Sequence, residues 1–168
     1  MSEETVYSKF ERIYNDYFAD VHNFLIYLAK DTSEADDLCQ ETFLRFLKKY
    51  GRREVTDVVN CKFLLLKVAK NLFLNSQRHK KKFVQLSDRS FENIRDNSAD
   101  FIAVHEWQAY VKETTQMLRM VNEMYAVIFT LRIVNGYDYK NIARICGKTT
   151  RTIRRHMQAI RGLVTKFE

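Results

Sequence analysis

The chain has 168 residues, 46% of them apolar, with four glycines and no proline, which is room for one domain of the usual 100–150 residues or for two small ones. Average usage would supply about eight prolines. So few chain breakers point to a mostly helical protein and exclude collagen-like, β-sandwich and proline-rich disordered classes. The formal charge of +7 is segregated: residues 1–57 carry 8 basic and 12 acidic side chains and residues 58–87 carry 7 basic and none acidic, while 88–139 carry 5 and 8, and 140–168 carry 8 basic and only Glu168. Two separate cationic segments suit a polyanion held at two places, because phosphate neutralisation dominates nucleic-acid affinity. The plainer alternative is two solvated helix faces.

Phe10, Ile13, Tyr14, Tyr17, Phe18, Val21, Phe24, Leu25 and Leu28 recur at three- and four-residue steps, which predicts an amphipathic helix with a wide buried face. Asp31, Thr32 and Ser33 are cap candidates for a second helix, with Glu34, Asp36 and Asp37 suited to its positive end. That helix is expected to bury Leu38, Cys39, Phe43, Phe46 and Leu47 and to stop at Gly51, leaving Asp36, Asp37, Gln40, Glu41 and Arg45 outside. Residues 51–60 read as a polar loop. A third helix is expected from about Cys61 to Lys82, with Leu64, Leu65, Val68, Leu72 and Phe73 inside. Lys67, Lys70, Asn71, Asn75 and Arg78 lie off that stripe and form a cationic face.

Residues 83–100 lose periodicity and read as a linker, although Phe83, Val84, Leu86, Phe91 and Ile94 suggest that it docks or forms a short helix. Further helices are expected at roughly 101–120, 122–135, 138–145 and 149–165, with Trp107, Leu118, Val121, Tyr125, Ile128 and Leu131 as core. The segment from Tyr139 to Ile153 has the spacing of a helix-turn-helix. Ala143 is small at the helix crossing, and Gly147 stands four residues later where the turn needs positive φ. Ile142, Cys146 and Ile153 clamp the pair, and Thr149 suits the N-cap of the second helix. Ile153, Met157, Ile160 and Val164 share one side of that helix, which turns Arg151, Arg154, Arg155, Gln158 and Arg161 outward. Donors at the N-terminal half of such a helix are what major-groove recognition requires.

Three residue runs resemble bacterial sigma factors of the extracytoplasmic-function (ECF) type. Asp36 to Phe46 (DDLCQETFLRF) is similar to that family's DLVQETFLR helix. Lys67 to Leu72 with Asn75 and Arg78 resembles RIARNLxxDxxR, and Asn135 to Ile153 resembles EGLSYxEIAxxLGxxxGTV. Leu64, Asn75, Val121-Asn122, Lys148 and Arg151 depart from the family pattern, so promoter preference is not carried over.

The resemblance implies an all-α fold of two small helical domains joined by a flexible linker. Residues 1–82 would form sigma region 2, residues 83–100 the linker and residues 101–168 sigma region 4. It implies a promoter-specificity subunit that joins core RNA polymerase, through the β′ coiled coil and the β subunit, and binds promoter DNA. Asp37, Gln40, Glu41 and Arg45 would face the polymerase. Lys67, Lys70, Asn71, Asn75 and Arg78, with the 51–60 loop, would contact and open the −10 element. Arg151, Thr152, Arg154, Arg155 and Gln158 would read the −35 element. An anti-sigma factor is a family expectation. The alternative is a helix-turn-helix regulator that binds duplex DNA without joining the polymerase.

No cofactor, metal site or catalytic residue is expected: the sequence holds no HExxH, GxxxxGK[ST] or GxGxxG motif, and its four histidines are scattered. Cys39, Cys61 and Cys146 are far apart, without a CxxC pair, and are expected to be reduced core residues. No apolar run reaches the roughly 18–20 residues of a membrane span, and the first residues are acidic rather than signal-like. A cytoplasmic protein without membrane insertion is expected.

Overall fold

A computed structural model describes residues 3–50, 58–84 and 102–165, with side chains described over 8–50, 61–81 and 105–165. These residues form seven α-helices: α1 (Glu3–Leu28), α2 (Thr32–Tyr50), α3 (Val58–Val84), α4 (Ile102–Val121), α5 (Glu123–Ile133), α6 (Tyr139–Cys146) and α7 (Thr150–Val164). No strand occurs among them. The fold is all-α and two-domain, with α1–α3 packed mutually and α4–α7 packed mutually.

In the first unit, α1 contributes Val21, Phe24, Leu25 and Leu28, α2 contributes Cys39, Phe43 and Phe46, and α3 contributes Leu65, Leu66, Ala69 and Phe73, all buried. Phe43 anchors an aromatic group, with its ring 4.8 Å from Tyr14 and edge-on to Phe10 at 6.4 Å, geometries that add to the energy of area burial. Asp31 opens α2, its carboxylate accepting from the Glu34 amide at 2.8 Å, while the Glu34 carboxylate accepts from the Lys30 amide at 2.9 Å. Each helix-start donor satisfied in this way contributes about 1 kcal/mol.

The third helix starts three residues earlier than its polarity pattern suggests. Val58, Val59 and Asn60 belong to its first turn, and it runs on through Val84. With no proline to stop it, the stretch is free to continue a helix that packing already holds. The rest of the expected 51–60 loop, and residues 85–100 of the expected linker, lie outside the described residues.

Helix α5 sits at the centre of the molecule. Ala126, Val127, Ile128, Phe129, Thr130 and Leu131 are all buried, the signature of a helix covered on every side. It touches α4, α6 and α7 within its own unit, and also α1 and α3. The two units therefore share one continuous apolar core. The C-terminal core contains Leu118, Ile128 and Leu131 as expected, but Trp107 and Val121 are each 56% exposed. Trp107 lies in the first half of α4, where residues 105–110 are all exposed, and Val121 ends the helix beside the solvent-facing Asn122 cap. All three cysteines are buried thiols outside any disulfide, and burial pushes the Cys39 and Cys146 thiols up to about 11.

Candidate nucleic-acid and polymerase interfaces

The helix-turn-helix forms from local interactions. Asp138 caps α6 by accepting from the Asn141 amide at 2.8 Å. Gly147 ends α6 at φ +64°, and the Gly147 and Lys148 amides both donate to the Ala143 carbonyl. A side chain at that φ would crowd the following carbonyl, which glycine avoids. Thr149 then caps α7, its hydroxyl accepting from the Thr152 amide at 3.2 Å. Ile142, Cys146, Ile153, Met157 and Ile160 are buried between the helices.

With that side inward, Arg151, Arg154, Arg155 and Gln158 are exposed and Thr152 is half-buried. These five residues line one open depression on the first half of α7. No acid occurs between Tyr139 and Thr165, so the guanidinium groups have no internal counter-ion on their own motif. His156 packs edge-on against Tyr125 at 5.4 Å. Burial, with Arg155 and Lys148 nearby, holds its imidazole below the ordinary value, which disfavours a further positive charge on this face.

On α3, Lys67, Asn71, Asn75 and Arg78 are exposed and fall within an arc of about 80° at about 100° per residue. Lys70 does not join them. It lies about 60° off the edge of that arc, on the flank that α6 covers, and is only 6% exposed. Its ammonium donates to the Cys146 carbonyl at 3.5 Å. Desolvation lowers its pKa, with Lys67 and Lys148 pushing the same way. The expected cationic face therefore consists of four of the five residues assigned to it. Further along α3, Lys80 is paired with Glu34 at 2.7 Å and Lys81 with Glu123 at 2.5 Å.

On α2, Asp37, Gln40 and Arg45 are exposed and Glu41 is half-buried, with Arg45 Nε donating to Glu41 at 2.6 Å. Leu44 stands among them and is 60% exposed. It is an apolar residue in the middle of a polar arc. Its absence from the buried stripe of α2 was the available sequence signal, and motif residues chosen for polarity alone pass over it. The core of a protein interface is more apolar than its polar rim, and a leucine ringed by polar groups suits such a centre.

Residues 13–83 match the Sigma-70 region 2 family model and residues 112–162 match that of Sigma-70, region 4. The chain belongs to the RNA polymerase sigma factors of the ECF type, which direct promoter-specific transcription initiation. It is 32% identical over 136 residues to the ECF RNA polymerase sigma factor SigM of Bacillus subtilis (strain 168), covering 80% of each chain. It is 27% identical over 170 residues to SigX of the same organism, covering 90% of this chain and 85% of the relative. Among solved structures, the sigma factor RpoE in complex with the anti-sigma factor NepR from Bartonella quintana has the same fold, with a TM-score of 0.72, 23% identity and 92% of both chains covered. The duplex-binding regulator is not favoured, since the sigma-factor matches extend over both units. No helix among the described residues is long and apolar enough to cross a membrane.

Proposed function

We propose that the three faces divide the work of a sigma factor. The first half of α7 enters the major groove of the −35 element, where Arg151, Arg154 and Arg155 supply donors for phosphates and guanine edges and Gln158 and Thr152 add neutral contacts. The α3 stripe of Lys67, Asn71, Asn75 and Arg78 holds the −10 element, where capture of unpaired bases offsets a few kcal/mol of unstacking. The α2 arc of Asp37, Gln40, Glu41 and Arg45, with Leu44 at its centre, docks on the β′ coiled coil of core polymerase, and a second contact involves the β subunit. The chain carries out no catalysis of its own, acts in the cytoplasm, and is open to an anti-sigma factor that hides these faces.

The observation that carries this reading is the α7 depression, where five donor side chains converge on a motif without acids. The test is transcription by purified bacterial core polymerase on a library of random promoters, with and without the chain. Initiation that depends on the chain and selects an upstream motif is the expected result. Absence of initiation, together with tight duplex binding by the chain alone, would replace the reading with that of a regulator. Glu41→Lys is expected to lower assembly with core polymerase while leaving helix content unchanged, because among the described residues that side chain pairs with Arg45 at the surface.

A further inference from the structure

The carboxylate of Glu34, in the first turn of α2, joins two helices, one with each oxygen. Its Oε2 accepts from the Lys30 amide at 2.9 Å, at the start of its own helix. Its Oε1 accepts from three α3 side chains, Lys80 Nζ at 2.7 Å and Ser76 Oγ and Gln77 Nε2 at 3.4 Å each. The Glu34 side chain is only 12% exposed. Burial would raise its pKa, but hydrogen bonds from Lys80 and the Lys30 amide, with the charges of Lys80 and Arg119, hold it below the ordinary value. It is therefore a carboxylate near neutral pH, and a charged acceptor makes the stronger kind of hydrogen bond.

This carboxylate holds a stretch of α3 that apolar packing does not. Phe73 is the last buried residue of α3 among those described, Leu74 is half-buried, and none from Asn75 to Lys81 is buried. That stretch makes about two turns. A helix end without tertiary packing frays, because helical stability in proteins comes mostly from such packing. Asn75 and Arg78, which complete the −10 stripe, stand on this stretch. At about 100° per residue, Ser76, Gln77 and Lys80 lie on the side of α3 opposite to the arc of Lys67, Asn71, Asn75 and Arg78. Glu34 thus grips the back of the helix and leaves its polar front to solvent. The pair of Lys81 with Glu123, on the same stretch, reaches it from the second unit.

We propose that Glu34 is a positioning residue for −10 recognition, bridging the start of α2 to the end of α3 so that Asn75 and Arg78 stand in line with Lys67 and Asn71. Its role in DNA binding rests on the reading of α3 as the −10 face; the grip on α3 does not. The α2 arc that docks on the polymerase begins three residues after Glu34, at Asp37. The bridge therefore passes the orientation of the docked helix to the DNA-holding end of α3.

The test uses Glu34→Gln. Glutamine near a helix start still accepts from a backbone amide, so the α2 end is kept while the charged acceptor for Lys80 is lost. Amide hydrogen exchange in the full chain is expected to quicken about tenfold over residues 75–81, as when one hydrogen bond to a charged group is lost, and to stay unchanged over 61–73. Lys80→Met removes the same pair from the α3 side and should quicken exchange over the same residues. Exchange over 75–81 unchanged in both variants would overturn the grip. In complex with core polymerase, Glu34→Gln is expected to assemble as the parent does and to hold fork-junction −10 DNA about tenfold more weakly. A double-mutant cycle separates positioning from stability. Arg78→Ala should cost much less in the Glu34→Gln background than in the parent, while Lys67→Ala should cost the same in both. Equal costs of Arg78→Ala in the two backgrounds, or unchanged DNA affinity in Glu34→Gln, would overturn positioning and leave Glu34 a stabiliser of the fold. If neither Lys67→Ala nor Arg78→Ala weakens −10 DNA in the parent, the −10 reading fails, and exchange over 75–81 still decides the grip.

Discussion

The α7 face and the α3 face carry the same chemistry, cationic and amide donors on helices without acids, yet the tertiary structure treats them differently. On α7, an apolar stripe at steps of four and three faces α5 and α6, and every arginine opposite it reaches solvent. On α3, one side packs into α1 and α2 and a second flank meets α6, so a lysine that is polar by sequence ends up as an internal donor. A helix packed on one side exposes its whole polar face, whereas a helix packed on two sides exposes only what lies between its contacts.

The largest effect that tests this contrast is expected on the open face. Arg154→Ala should cost about 1–3 kcal/mol of promoter binding in the polymerase complex if the side chain reads a base, measured as affinity for the selected upstream motif against a scrambled one. An equal loss on both sequences would make Arg154 a phosphate contact and reduce the contrast to one of charge.

A smaller but sharper comparison sets Lys67 against Lys70, three residues apart on α3. Lys67→Met should lower the slope of log affinity against log salt for fork-junction −10 DNA by about one and leave the melting temperature unchanged. Lys70→Met keeps the buried volume but removes the donor to the Cys146 carbonyl, so the free chain should melt at a slightly lower temperature. Its salt slope in the free chain should match that of the parent. A slope lowered equally by both variants would show that Lys70 reaches DNA and would remove the distinction.

The smallest effect concerns pH. Burial holds the Lys112 ammonium down to about 8 from its ordinary 10.5; Arg119 pushes the same way, while Asp31 and Glu34 pull back. Because the unfolded chain keeps this proton up to the ordinary value, it binds more protons than the folded chain between those limits. Rising pH across that window should therefore stabilise the fold through this group. The melting temperature of the parent chain, measured against that of Lys112→Met at each pH, is expected to rise from pH 8 toward pH 10.

The helix-turn-helix was legible nearly to the residue. Its boundaries come from the Asp138 and Thr149 caps and from Gly147 at positive φ, interactions that span no more than four residues. The same holds for Asp31 at the start of α2 and for the apolar stripe of α1. Trp107 was misplaced because a large apolar side chain on a helical period suggests a core, whereas residues 105–110 of α4 are all exposed. Val58 to Asn60 were read as loop together with the polar residues before them, whereas they form the first turn of α3.

By itself, then, the sequence determined the helices, their caps, the recognition turn and the separation of charge, because each depends on neighbours within a few residues or on composition. Only the tertiary structure decided that the run from Ala126 to Leu131, apolar except for Thr130, would be buried from both units at once. It also decided that Lys70, Lys112 and Arg119 would serve helix ends in the opposite unit. Those assignments join residues 76 to 91 positions apart, and no local pattern specifies which distant carbonyl a lysine or an arginine will meet.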